Sequence, residues 1–209
     1  MPSPNIVKSF KEDGIYHICH RGIDNRAIMA DEEDFEVFLD ILKSYCGSEA
    51  ATKQRRKQLA SVELLAYCLL PDHFHILIRQ TSLTGMTELM RALGNAYIRY
   101  YNRKYDRSGP LFAGKYRAAL VEQDEQLIHL TRFIHRHPRV KPPFEQADYP
   151  YSSYAYYLRS VVPLWINPAP AWERFYDVAD YRDFVEGADV DSEQILGPLV
   201  LDRKPTGVV

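Results

Sequence analysis

Two apolar runs, Val62-Glu-Leu-Leu-Ala-Tyr-Cys-Leu-Leu70 and His73-Phe-His-Ile-Leu-Ile78, are separated by Pro71-Asp72 alone. Proline presets the backbone for a turn and aspartate closes one through its own side chain, so the runs fold back as an antiparallel hairpin. A lone hairpin is not stable in water, and the rest of the chain has to cover it. Gly14-Ile-Tyr-His-Ile-Cys-His-Arg-Gly22 is rich in strand formers and stops at glycine, which predicts a first strand. Asp31 is placed to cap a helix with an acidic first turn, carrying Phe35, Phe38, Leu39 and Leu42 on one face and stopping at Gly47. Residues 48–60 are polar and basic and fit either a loop or a helix extension.

After Thr84 the period changes to that of a long helix, with Met86, Leu89, Met90, Leu93, Ala96, Tyr97 and Tyr100 on one side. Arg91, Asn95, Arg99 and Asn102 make its other side basic. Tyr116–Val121 predicts a fourth strand, and Asp124–His137 a final helix with Leu127, Leu130 and Ile134 as its buried stripe, bounded by Pro138. The order strand, helix, strand, strand, helix, strand, helix is the split βαβ pattern. It predicts an α+β, ferredoxin-like (RRM-like) βαββαβ fold, a four-stranded antiparallel sheet with helices on one face. Residues 1–142 form this domain, and 143–209 read as an acidic extension that wraps it or forms one or two short helices.

With 46% hydrophobic and 26% charged residues over 209 positions, the chain has the balance of a folded protein with a full core. No run of about 18 apolar residues occurs and the first 30 lack a signal-peptide pattern, so the expectation is a cytoplasmic protein without membrane contact. Cys19, Cys46 and Cys68 share no metal or disulfide spacing and read as small buried side chains. The net charge of −2 hides a strong asymmetry. Residues 1–52 hold 5 Lys/Arg against 10 Asp/Glu, residues 53–141 hold 16 against 7, and residues 142–209 hold 5 against 11. A centre carrying +9 between ends of −5 and −6 suits phosphate binding, although solvated basic faces are also common.

His73 and His75 flank Phe74 in a strand, so both imidazoles leave the same face and can grip one ion. Exposed or merely hydrogen-bonded histidines give the same pattern. Phe133 and His137, four apart on the final helix, share a face, and His137 completes a three-ligand site if that helix crosses the sheet. His135 falls on a different face.

Five segments together resemble the single-tyrosine HUH transposases, most closely the REP-associated tyrosine transposases. They are GIYHICHRG at 14–22, AYCLLPDHFHILI at 66–78, YNRKYDRSGPLFAGKYRAALVE at 101–122, LTRFIHRHP at 130–138 and YPYSSYAYYL at 149–158. The resemblance implies metal-dependent cleavage and joining of single-stranded DNA with hairpins, using Mg²⁺ or Mn²⁺, by a monomer or homodimer. His73 and His75 correspond to the HUH ligands, and His137 stands where the family carries Asn or Gln. In the family a tyrosine oxygen bonds to phosphorus as the bond to the 3′ oxygen breaks, leaving a 5′-phosphotyrosine and a free 3′-OH.

The chain departs from the family at that nucleophile: Phe133-Ile-His-Arg-His-Pro138 stands where the motif begins with tyrosine. Phenylalanine has no attacking atom. Three readings follow: an introduced change that traps a complex, a natural loss with binding retained, or another nucleophile, with Tyr97, Tyr101 and Tyr154 as candidates. Arg99, Arg103, Lys104, Arg107, Lys115 and Arg117 cluster around one loop as phosphate contacts, and Tyr105, Phe112 and Tyr116 as stacking platforms. Arg21, Arg132 and His17 are expected toward the same site, His17 equally as a structural strand histidine. A metal-assisted hydrolase and a non-catalytic hairpin-binding protein are the competing functions.

Overall fold

The computed structural model describes residues 10–46, 61–138, 145–159, 161–188 and 191–202. Four strands, β1 (Ile15–Arg21), β2 (Val62–Leu69), β3 (His73–Gln80) and β4 (Arg117–Val121), form one antiparallel sheet in the order β2-β3-β1-β4. The hairpin around Pro71-Asp72 is present, and β1 inserts next to β3 because helix α1 (Glu32–Cys46) carries the chain across the sheet. Helix α2 (Gly85–Lys104) makes the second crossover, and α3 (Asp124–Arg136) follows β4. Gly47, expected to stop α1, residues 48–60 and the boundary at 142/143 lie outside the described residues.

Alternation along the strands separates two cores. Tyr16, Ile18, Phe74, Ile76 and Ile78 face α1 and α2, where they meet Phe38, Leu42, Leu93 and Tyr97. Leu65, Ala66, Cys68 and Leu77 face the other way and meet Leu127, Leu130 and Ile134 of α3. The two helices of the βαββαβ unit thus share one face as expected, while the helix that follows it covers the opposite face. A register shift between Leu64 and Ala66 lets β2 serve both cores: Val62 and Leu64 point to the first before it, Tyr67 and Leu69 after it. An extra residue in one strand reverses the parity of all that follow, which is how a bulge re-aims side chains.

The C-terminal extension forms more helix than the one or two segments expected. Among the described residues it contains α4 (Tyr154–Tyr157), α5 (Ala169–Trp172), α6 (Val178–Glu186) and α7 (Ser192–Leu196). It also protects the edge strand β2. The Leu69 amide donates to Tyr151 O (2.9 Å), the Ser153 amide to Tyr67 O (3.0 Å) and the Asn167 amide to Leu64 O (2.8 Å). Backbone groups of an edge strand otherwise invite pairing with other chains. Cys19 and Cys68 are buried and Cys46 half-buried, all as free thiols. Among the described residues no helix is long and apolar enough to cross a membrane.

Candidate metal centre

The face of the sheet covered by α3 carries three histidines at its centre. Odd-numbered positions of β1 and β3 point there, so His17, His73 and His75 lie together with Leu77. His137, the residue that ends α3, reaches the same point: its Nε2 lies 3.0 Å from His73 Nε2. Asp202, arriving from far along the chain, places a carboxylate oxygen 3.5 Å from His137 Nε2. The ligand atoms of His73, His75, His137 and Asp202 all lie within 4.8 Å of one another.

Hydrogen bonds behind the cluster fix the tautomers. The Leu199 carbonyl can only accept, so His17 donates through Nδ1 (2.6 Å) and keeps a lone pair on Nε2. His75 must then donate its Nδ1 proton to that lone pair (2.9 Å), which leaves its own Nε2 unprotonated. That Nε2 is buried and has no hydrogen-bond partner among the described residues, leaving a lone pair open to a cation or a proton donor. His73 is oriented in the same way by Asp72, whose Oδ1 accepts from Nδ1 at 2.6 Å while Oδ2 accepts from Arg21 at 2.5 Å. A carboxylate behind a ligating imidazole is the usual outer support of a metal site. Burial drives His75 well below its ordinary pKa, and the neighbouring charges of His137, His17 and His73 act in the same direction. Burial also lowers His73, against the pull of Asp72, and brings His17 down to about 4, against the Leu199 carbonyl and Asp202. The imidazoles therefore stand neutral at ordinary pH, the form that binds metal.

Phe133 lies over this cluster, its ring 5.0 Å from that of His137, 5.4 Å from His75 and 6.0 Å from His17. The other tyrosines considered as nucleophiles are committed elsewhere. The Tyr97 hydroxyl donates to Ile28 O (2.7 Å), that of Tyr101 to Ala27 O (3.0 Å) and that of Tyr154 to Glu186 (2.7 Å).

The basic cluster of the loop divides. Arg21 and Arg117 lie on the face that carries the histidines, Arg21 on Asp72 and Arg117 donating to Leu201 O (2.7 Å). Arg99, Arg103 and Lys115 are exposed. Lys104, half-buried, and Tyr105, exposed, both expected on DNA, pair with acidic residues of α1. Lys104 donates to Asp31 (2.6 Å), Glu33 (2.9 Å) and Asp34 (2.9 Å), and Tyr105 to Asp34 (2.7 Å), because the buried Asp34 carboxylate needs donors. Arg107 bonds its own loop through Asn102 (3.0 Å) and Pro110 O (2.9 Å). Phe112 is buried and stacks on His20 at 4.4 Å, with Tyr116 half-buried beside the same imidazole. Arg132 donates to Gly187 O (2.7 Å) and covers Phe184, away from the histidines, and His135 bonds Tyr181 and Ser153.

Sequence reasoning missed Asp72 and Asp202. Asp72 immediately precedes His73, but in the sequence it signals only a turn. Nothing in the spacing linked residue 202 to residue 73.

The family model for IS200-like transposases matches residues 12–137. A REP-associated tyrosine transposase solved bound to a REP hairpin superposes with a TM-score of 0.56 at 11% identity, covering 78% of this chain and 90% of that one. A transposase-like protein of Deinococcus radiodurans gives a TM-score of 0.39 at 18% identity, covering 61% of this chain and 90% of that one. No curated protein sequence matches the chain.

Proposed function

Because this chain belongs to the family of IS200-like transposases, we propose that it binds hairpin-bearing single-stranded DNA and presents a phosphate to the face holding His73, His75 and His137. The observation that carries the reading is the orphaned, lone-pair-bearing Nε2 of the buried His75 beside the Nε2 atoms of His73 and His137. A divalent ion held there supplies charge stabilisation at a phosphoryl oxygen. His17 and Asp72 hold the two strand imidazoles in their ligating tautomers, and exposed Arg99, Arg103 and Lys115 serve the DNA backbone. The likeness to a transposase bound to a REP hairpin supports a hairpin as the DNA form.

At the attacking position the chain offers a phenyl ring. The candidate substitutes Tyr97, Tyr101 and Tyr154 are engaged in hydrogen bonds of the fold, which supports binding without a covalent protein–DNA link in this form of the chain. The test is a denaturing gel of the protein and of Phe133→Tyr, each incubated with Mn²⁺ and end-labelled single-stranded hairpin DNA. An adduct with the tyrosine variant alone is expected. An adduct with the phenylalanine form would show that another side chain attacks. Nicked DNA without adduct in the phenylalanine form would favour the second reading, a hydrolase using water, which the absence of a hydroxyl at position 133 also supports.

A further inference from the structure

The donor set of the histidine cluster is unusual for the ion that the family resemblance suggests. Three of its four donors are imidazole nitrogens and one is a carboxylate oxygen. Magnesium is a hard ion that prefers oxygen, keeps several waters and demands octahedral geometry. Imidazole suits borderline ions, and among these manganese binds most weakly. The donors are close together, all within 4.8 Å of one another, and two of their separations fall near those of a tetrahedral site. His73 Nε2 and His137 Nε2 are 3.0 Å apart, and His137 Nε2 and Asp202 Oδ2 3.5 Å apart. Donors at the corners of a tetrahedron with bonds of 2.0–2.1 Å lie roughly 3.3 Å apart, between these two values.

Asp202 is presented by supports other than its own carboxylate. On one side of it the Leu199 carbonyl accepts from His17, and the adjacent Leu201 carbonyl accepts from Arg117 (2.7 Å). The Leu199 and Leu201 side chains are buried, Leu199 in the core beneath α3. The His17 imidazole thus does two jobs: its Nδ1 holds the C-terminal segment and its Nε2 sets the tautomer of His75. The segment and the ligand set are coupled through one ring.

We propose that His73, His75, His137 and Asp202 form a four-donor, tetrahedral site for a zinc-class ion, with Asp202 of the C-terminal segment as the fourth ligand. The proposal rests on the metal reading of the same cluster but not on DNA binding. An ion so held is enclosed by protein donors, the arrangement of structural zinc sites, and it ties residues 197–202 to the sheet. His73, His75, His137 and Asp202 would hold the ion, and a phosphate oxygen would have to displace Asp202 or add as a fifth ligand to reach it.

The test uses the full chain freed of metal by chelation, without DNA. Zn²⁺, Mn²⁺ and Mg²⁺ are titrated in competition with a chromophoric chelator, and Co²⁺ is added as a reporter of geometry through its visible absorption. Zn²⁺ is expected to bind one per chain and to outcompete Mg²⁺ completely. Co²⁺ should give the intense bands of a tetrahedral site. Asp202→Asn should lower the Zn²⁺ association constant roughly 100-fold or more, since outer partners alone are worth about 10–100-fold, and should weaken the cobalt bands. Zn²⁺ should also slow amide exchange in residues 197–202 of the parent protein but not of the variant, a readout independent of affinity. Weak, octahedral-type cobalt bands in the parent, or equal Zn²⁺ affinity in parent and variant, would overturn the proposal while leaving a metal centre in place. No binding of any of the ions would overturn both this proposal and the metal reading of the cluster.

Discussion

Asp72 shows how much of the site's chemistry is carried by residues that touch nothing but another side chain. Its carboxylate stands between Arg21 and His73, and by accepting the Nδ1 proton it leaves the far nitrogen of His73 facing the cluster. An amide at this position can turn its NH₂ toward the imidazole and favour the opposite tautomer. Asp72→Asn is therefore expected to reduce metal affinity by about 10–100-fold with the fold intact, as measured by chelator competition alongside far-ultraviolet circular dichroism. Unchanged affinity would mean that His73 is held by its packing rather than by Asp72. The variant leaves the His17–His75 relay in place, so the two supports can be separated.

The joint between α1 and α2 is built around one buried carboxylate. Asp34 accepts from the Ala30 amide (2.8 Å), Tyr100 (3.0 Å), Tyr105 (2.7 Å) and Lys104, while Asp31 accepts from the Asp34 amide (3.1 Å) to cap α1. Asp34→Ala leaves the Asp31 cap in place but removes the acceptor of four donors, and is expected to cost about 1–3 kcal/mol, read as a lower midpoint in urea. A shift no larger than that of an exposed substitution such as Glu36→Ala would place the stability of this joint in its apolar contacts. The elements themselves were legible in the sequence. Pro71-Asp72 marked the hairpin, Asp31 the start of α1, and the 3.6-residue period of Leu127, Leu130 and Ile134 the buried face of α3. His73 and His75 were legible as a pair because strand alternation is local. What stayed hidden depended on contacts between residues far apart in sequence. The bulge at Leu65 is invisible in an unbroken apolar run, the bonds of Lys104 and Tyr105 to Asp34 appear only once the two helices pack, and Asp202 meets the histidines only through the path of the extension.

Across the whole molecule, enclosed histidines make stability depend on pH. Burial lowers His20 to about 4, against the Gly114 carbonyl, and lowers His135 to about 3, between the Tyr181 hydroxyl and Ser153 Oγ, each at 2.7 Å. Unfolded, both titrate near their ordinary value of about 6.5, so below that pH the unfolded chain binds more protons than the folded one. The contribution is complete above about 6.5 and is lost progressively as the pH falls toward the lowered values. Thermal midpoints are expected to fall between about pH 7 and about pH 5, and less steeply in His20→Phe, which keeps the stacking on Phe112 but cannot titrate. A pH-independent midpoint over that window would count against the neutral burial of these rings. The distance along the chain between His137 and Asp202 also sets an order of events during synthesis on the ribosome. The hairpin, α3 and all three imidazoles leave the exit tunnel well before residue 202, so a nascent domain holds an incomplete coordination sphere until translation delivers its last donor.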